Sequence, residues 1–157
     1  MAHAILRLDS VTGTVDGARI VSGKYFVSDV ATQIDNGMPV EIGALIDGER
    51  ELHKLTAVTA DSKSWGIVST PEVDSSKAIN SAALADWYNE ADKPVRVHVV
   101  KDHNVVSISA EAFDSVPTVG ATIGLGAGKF AVGGTGVGTC IAIDVVDGAT
   151  LYAIEIA

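Results

Sequence analysis

Thr139-Cys140-Ile141-Ala142-Ile143-Asp144-Val145-Val146 runs into Asp147-Gly148 and returns as Ala149-Thr150-Leu151-Tyr152-Ala153-Ile154-Glu155-Ile156. The first arm is rich in β-branched residues, and Ile141, Ile143 and Val145 recur with a period of two. That is the period of a strand, where successive side chains point to opposite faces. Asp-Gly between two such runs marks a two-residue type I′ turn, because both of its central residues must take positive φ. The stretch therefore reads as a β-hairpin. Ile141, Ile143 and Val145 share one face of its first arm. On the second arm either Tyr152, Ile154 and Ile156 or Leu151, Ala153 and Glu155 face with them, and the first, apolar set is the better match.

The same grammar recurs upstream. Asp16-Gly17, Asn36-Gly37 and Asp47-Gly48 are three more Asx-Gly turns. Strand-like runs occupy residues 18–21, 24–30, 39–46, 50–58 and 65–69. In residues 94–100, Val95, Val97 and Val99 alternate with Arg96 and His98, and residues 105–109 continue the pattern with Val106 and Ile108. The polar quartet Lys101-Asp102-His103-Asn104 lies between them, so the pair reads as a hairpin. One segment, 75–89, has a helical period: Ile79, Ala83 and Trp87 fall four apart, with Leu84 and Tyr88 beside them. Ser75 or Ser76 suits its N-cap, and Pro94 lies beyond its end.

These elements predict a mainly-β chain, a small antiparallel β-barrel or sandwich built of hairpins with at most one short helix. Strand and helix do not alternate, which argues against a parallel sheet. Residues 1–30 read as an extended N-terminal arm plus a first hairpin, and residues 31–157 as a single mainly-β domain.

Composition narrows the function. A chain of 157 residues with 47% hydrophobic and 20% charged residues has the means to build a core, and with only 5% aromatics that core is aliphatic. The net charge of −9 repels phosphate backbones and anionic lipids, so neither nucleic acid nor membrane is an expected partner. No apolar run approaches the roughly 18 residues of a spanning helix. The single cysteine, Cys140, has no second cysteine to bridge to. Arg7 and Asp9 interrupt the N-terminus too early for a secretion signal, so synthesis in the cytosol is expected.

The chemical motifs fail one by one. Around Gly128-Lys129 a phosphate loop would require glycine at 123 and Ser or Thr at 130, where Ile123 and Phe130 stand. Gly126, Gly128 and Ala131 are followed by Val132-Gly133-Gly134-Thr135-Gly136, not by the helix a dinucleotide fingerprint needs. The glycines of residues 120–138 read instead as tight turns between short strands. His3, His53, His98 and His103 do not offer a metal-ligand spacing, and His98 and His103 read as solvated residues near a turn. Cys140 reads as a buried thiol. The expectation is no catalytic, cofactor-binding or metal-ligating residue, no cofactor and no enzyme.

Asn36-Gly37-Met38-Pro39-Val40-Glu41-Ile42-Gly43, Leu45-Ile46-Asp47-Gly48-Glu49-Arg50-Glu51 and Ser69-Thr70-Pro71-Glu72-Val73 resemble stretches of the small head decoration, or cement, proteins of tailed bacteriophages. Ile108-Ser109-Ala110-Glu111-Ala112-Phe113 and residues 119–130 look like the closing hairpins of the same family. The resemblance spans roughly residues 35 to 131. It implies a structural protein on the outer surface of the virion that bridges major capsid subunits, with the major capsid protein and its own copies, as a homotrimer, for partners. Tail or baseplate component, and soluble β-barrel ligand-binding module, are the alternative readings. Candidate contacts are Ile5, Leu6 and Leu8 on the N-terminal arm, which alternatively form a first strand of the core. Trp65, Trp87 and Tyr88 are further candidates, because aromatics dominate interface hot spots.

Overall fold

The computed structural model of the protein describes residues 2–8, 11, 19–73 and 86–157. Their strands are β1 (Ile20–Val27), β2 (Val30–Ala31), β3 (Pro39–Leu45), β4 (Leu52–Ala57), β5 (Trp65–Val68), β6 (Val95–His98), β7 (Val105–Ser109), β8 (Thr122–Leu125), β9 (Phe130–Val132), β10 (Gly136–Val146) and β11 (Ala149–Ile156). The chain is mainly β, as its alternation predicts.

Strands β1 to β6 form a closed barrel. β1 pairs with β4, β4 with β3, β3 with β5, β5 with β6, and β6 returns to β1 through Ile20↔His98 and Gly23↔Val95, with β2 appended to the end of β1. Its interior holds Ile34, Val40, Leu55, Val68, Val95 and Val97. Short β-branched side chains suit so narrow a lumen, and closure leaves little sheet edge to protect. One pairing departs from the antiparallel expectation: β1 runs parallel to β4, from Ser22↔Leu52 to Tyr25↔Leu55. The β2–β3 segment serves as the crossover connection that a helix usually supplies.

Strands β7 to β11 form a second, fully antiparallel sheet in the order β7-β11-β10-β8-β9. After β7 a 3₁₀ turn, Ala110–Ala112, redirects the chain so that Phe113 bridges to Phe130 of β9, where the Asp114 amide donates to the Phe130 carbonyl at 2.9 Å. The chain that leaves β7, one edge of the sheet, is thus tied to β9 at the other. Its core joins Val106, Ile108, Ile123, Phe130, Cys140 and Ile154 to Val58 and Ile67 of the barrel, so the two sheets share one apolar interior. Phe130 is its largest fully buried side chain, edge-on to Trp65 and tilted against Phe113.

Several expectations require correction. The run 94–109 is not a hairpin: β6 belongs to the barrel and β7 to the second sheet, where it pairs with β11. Residues 101–104 connect the sheets, with His103 at φ 69°. Period-two alternation tells which face a residue takes but not which strand it pairs with, so two consecutive strands can be drawn into different sheets. His98 is accordingly a core residue, 1% exposed, rather than a solvated one.

The N-terminal segment is docked rather than free. Leu6 bridges Ile108 on the edge of β7, and Ala4 and Leu6 are each 2% exposed. Residues 20–27, read from sequence as two short strand runs within the arm and first hairpin, form the single barrel strand β1, and the β1–β2 turn falls at Ser28-Asp29, both with positive φ. Of the helix expected over 75–89, residues 75–85 lie outside the described residues. Residues 86–89 are not α-helical, and Asn89 forms an isolated bridge with Ile34. Asp16-Gly17 also lies outside the described residues.

Candidate interaction surface

The quoted hairpin is present, and its turn has the expected conformation: Asp147 and Gly148 take φ 49° and 83°. At Asp47-Gly48 and Asn36-Gly37 only the glycine is positive, so those turns are of another type. In the hairpin, Ile143 stands opposite Tyr152, but Cys140 stands opposite Ile154 and Ala142 opposite Ala153. The strand register shifts between Cys140 and Ala142. This β-bulge inserts one extra residue, bends the strand and re-aims everything beyond it.

The bulge divides β10 into two halves with different surroundings. Up to Cys140 the strand is covered on both edges, by β11 and by β8, and the Cys140 carbonyl still accepts from the Gly120 amide at 2.8 Å. From Ile141 to Val146 only β11 pairs with it among the described residues. Ile141 and Ile143 are each 43% exposed and Val145 is 71% exposed, so the apolar face that the alternation defines meets solvent instead of the core. Val119, beside the last hydrogen bond of the covered half, is exposed as well. Cys140 is buried at the boundary, and burial raises its thiol pKa.

The sequence-derived candidates have other duties. Leu6 is core and Leu8 packs against it. Ile5 is half-buried, its amide donating to the Ser109 hydroxyl at 2.9 Å and its carbonyl accepting from the Ser109 amide at 2.9 Å. His3 fastens the start of the segment, with Nδ1 2.7 Å from Asp35 Oδ1 and its ring stacked on Tyr88 at 4.9 Å. Tyr88 remains 38% exposed, whereas Trp65 packs onto the shared core and Trp87 is half-buried. These residues secure the segment and the core, and none lies on the exposed strip of β10. A groove of about 920 Å³ runs between the N-terminal segment and the β10–β11 turn, lined by Ile5, Leu8, Glu72, Glu111, Val146 and Leu151 among others.

A buried polar clasp holds the turns beneath the segment. Asn36, fully buried, donates to the Thr70 carbonyl at 2.8 Å and to Glu72 Oε1 at 3.2 Å, and its own oxygen accepts from the Thr70 amide and from Asn89. Such a group is satisfied on every side and fixes the loops it joins. Burial pushes the Glu72 carboxyl above the ordinary value of 4.5, against the smaller opposing pull of the Asn36 amide. A raised folded-state pKa favours the protonated form in the fold. The associated stability is therefore fully present below the unfolded value and is lost as pH rises through the folded one. Glu72→Gln keeps the acceptor without the charge. It should melt above the wild type at pH 7, with the difference closing below about pH 4. Calorimetry across that range tests this, and a difference independent of pH would refute the charge explanation.

The pKa of the Asp114 carboxyl is lowered chiefly by the Val132 amide, which donates to its Oδ1 at 3.0 Å, so above the ordinary carboxylate range this bond helps hold the chain after β7 to β9. Among the described residues, no three His, Cys, Asp or Glu side chains converge as a metal site would require. No family model, no curated protein and no solved structure matches the chain.

Proposed function

We propose that this chain is a structural virion protein that binds the outer surface of a tailed-phage capsid and stabilises it by bridging major capsid subunits. The observation that carries the reading is the solvent-facing aliphatic strip Ile141-Ile143-Val145, on a strand with one edge uncovered among the described residues. A surface of backbone and aliphatic groups recognises a protein by strand pairing and apolar burial, and needs no reactive side chain. The likeness of residues 35–131 to head decoration proteins supplies the identity of the partner. The net charge of −9 suits an outer position, since it keeps the protein off the packaged genome and keeps particles apart. Copies of the chain associating as a trimer around a local three-fold of the shell complete the reading.

The test mixes purified protein with undecorated heads assembled from the major capsid protein of the same genome. Saturable co-sedimentation and a raised temperature of head disruption are expected. Failure to co-sediment with heads, or saturable binding to tails instead, overturns the proposal.

A further inference from the structure

We infer that the uncovered edge of β10, residues 141–146, is a strand-acceptor site for an extended segment of a partner protein that alternates aliphatic side chains with lysine or arginine. The inference deepens the capsid-binding reading and rests on it only for the partner's identity.

Three independent features define the occupant. The first is hydrogen bonding. β8 stops pairing with β10 at Thr139, and the adjoining chain makes its last bonds at Cys140, so six consecutive residues carry an edge with no strand beside it among the described residues. An edge of that kind is a template for another strand, and proteins that avoid such pairing place lysine, proline or a bulge on it. Ile141-Ala142-Ile143-Asp144-Val145-Val146 contains neither lysine nor proline, and the bulge is confined to Ile141 at its start, so residues 142–146 keep a regular register with β11.

The second is side-chain pattern. Ile141, Ile143 and Val145 face one way and present an aliphatic row at alternate positions. A strand laid alongside places its own alternate side chains about 5 Å from that row, so the matching residues are aliphatic.

The third is charge. Asp144 lies on the opposite face and Asp147 at the turn, and neither pairs with a cation among the described residues. A second copy of this acidic chain would bring Asp144 towards its own equivalent, whereas a basic side chain on the added strand meets it with opposite charge. The favoured occupant is therefore a basic, aliphatic strand of another protein and not a copy of this one.

The probe is a blocked seven-residue peptide alternating valine and lysine, titrated into the full-length protein and followed by backbone amide NMR. Shifts confined to residues 119–121 and 141–156 are expected. Ile143→Lys and Val145→Lys, both at exposed positions, should each weaken the complex at least tenfold while leaving the melting temperature within a few degrees. A valine–glutamate peptide should bind at least tenfold more weakly than the valine–lysine one. Absence of shifts, shifts elsewhere, or equal binding of the two peptides overturns the inference. So does self-association of the protein that Ile143→Lys abolishes, which would assign the edge to a second copy. The two readings separate on heads. Peptide binding at β10 without head binding removes the capsid reading alone. Head binding undiminished by Ile143→Lys, together with peptide failure, removes the edge site alone.

Discussion

Removing residues 1–8 lowers the melting temperature by more than about 10 °C, because the segment is part of the core and not a tether. Leu6 and Ala4 are each 2% exposed, and Leu6 packs in the same apolar cluster as Ile108, Phe113 and Tyr152. Truncating one such leucine to alanine costs about 2–5 kcal/mol, and each kcal/mol moves the midpoint by roughly 2–4 °C in a chain of this size. The deletion also strips the edge of β7 of its bonds from Ile5 and Arg7 and leaves Asp35 without the Ala4 amide. Leu6→Ala alone should reproduce much of the loss. Thermal melts monitored by circular dichroism decide the matter: an unchanged midpoint on deletion would show a segment separable from the domain.

Gly138→Val opens the second sheet and costs at least about 3 kcal/mol. Gly138 lies within β10 between Ile123 of β8 and Ile156 of β11. A Cβ there lands on the Glu155 carbonyl oxygen and within 2.8 Å of the Glu155 carbonyl carbon. These neighbours are backbone, so no rotamer change relieves the overlap, and β10 and β11 must separate there. Gly148→Ala is the contrasting case. Gly148 takes φ 83° with nothing near its missing Cβ, so the substitution pays only for a left-handed backbone, about 1–2 kcal/mol. Urea denaturation of the two variants compares a steric fault with a conformational one. Equal midpoints would refute the close approach at Gly138.

The candidate interaction surface is half legible in the sequence. Alternation places Ile141, Ile143 and Val145 on one face, and β-branched apolar residues in that pattern ordinarily mean core. What leaves them in solvent is the early end of β8 and the lack of any other described strand beside residues 141–146. Both are properties of neighbouring strands, and neither has a signature within residues 139–146. Ile5, Leu6 and Leu8 are the converse case. A short aliphatic run at a terminus reads equally as an arm or as a strand, and only the vacant edge of β7 decides for the strand. The buried clasp of Asn36, Glu72 and Asn89 was invisible, because its members lie up to 53 residues apart and each is an ordinary turn residue taken alone.

Local rules reached as far as local physics does. The mainly-β class, the turn at Asp147-Gly148, the glycine turns of residues 120–138 and the aliphatic core follow from side-chain period, allowed φ and composition, which are properties of neighbours along the chain. Which strand lies beside which was settled by the tertiary structure alone: the parallel β1–β4 pair, the division of 94–109 between two sheets, and the edge of β10 left open. The physical reason is that alternation fixes a strand's two faces but leaves its two edges equivalent, and an edge is assigned only when another strand arrives to bond it.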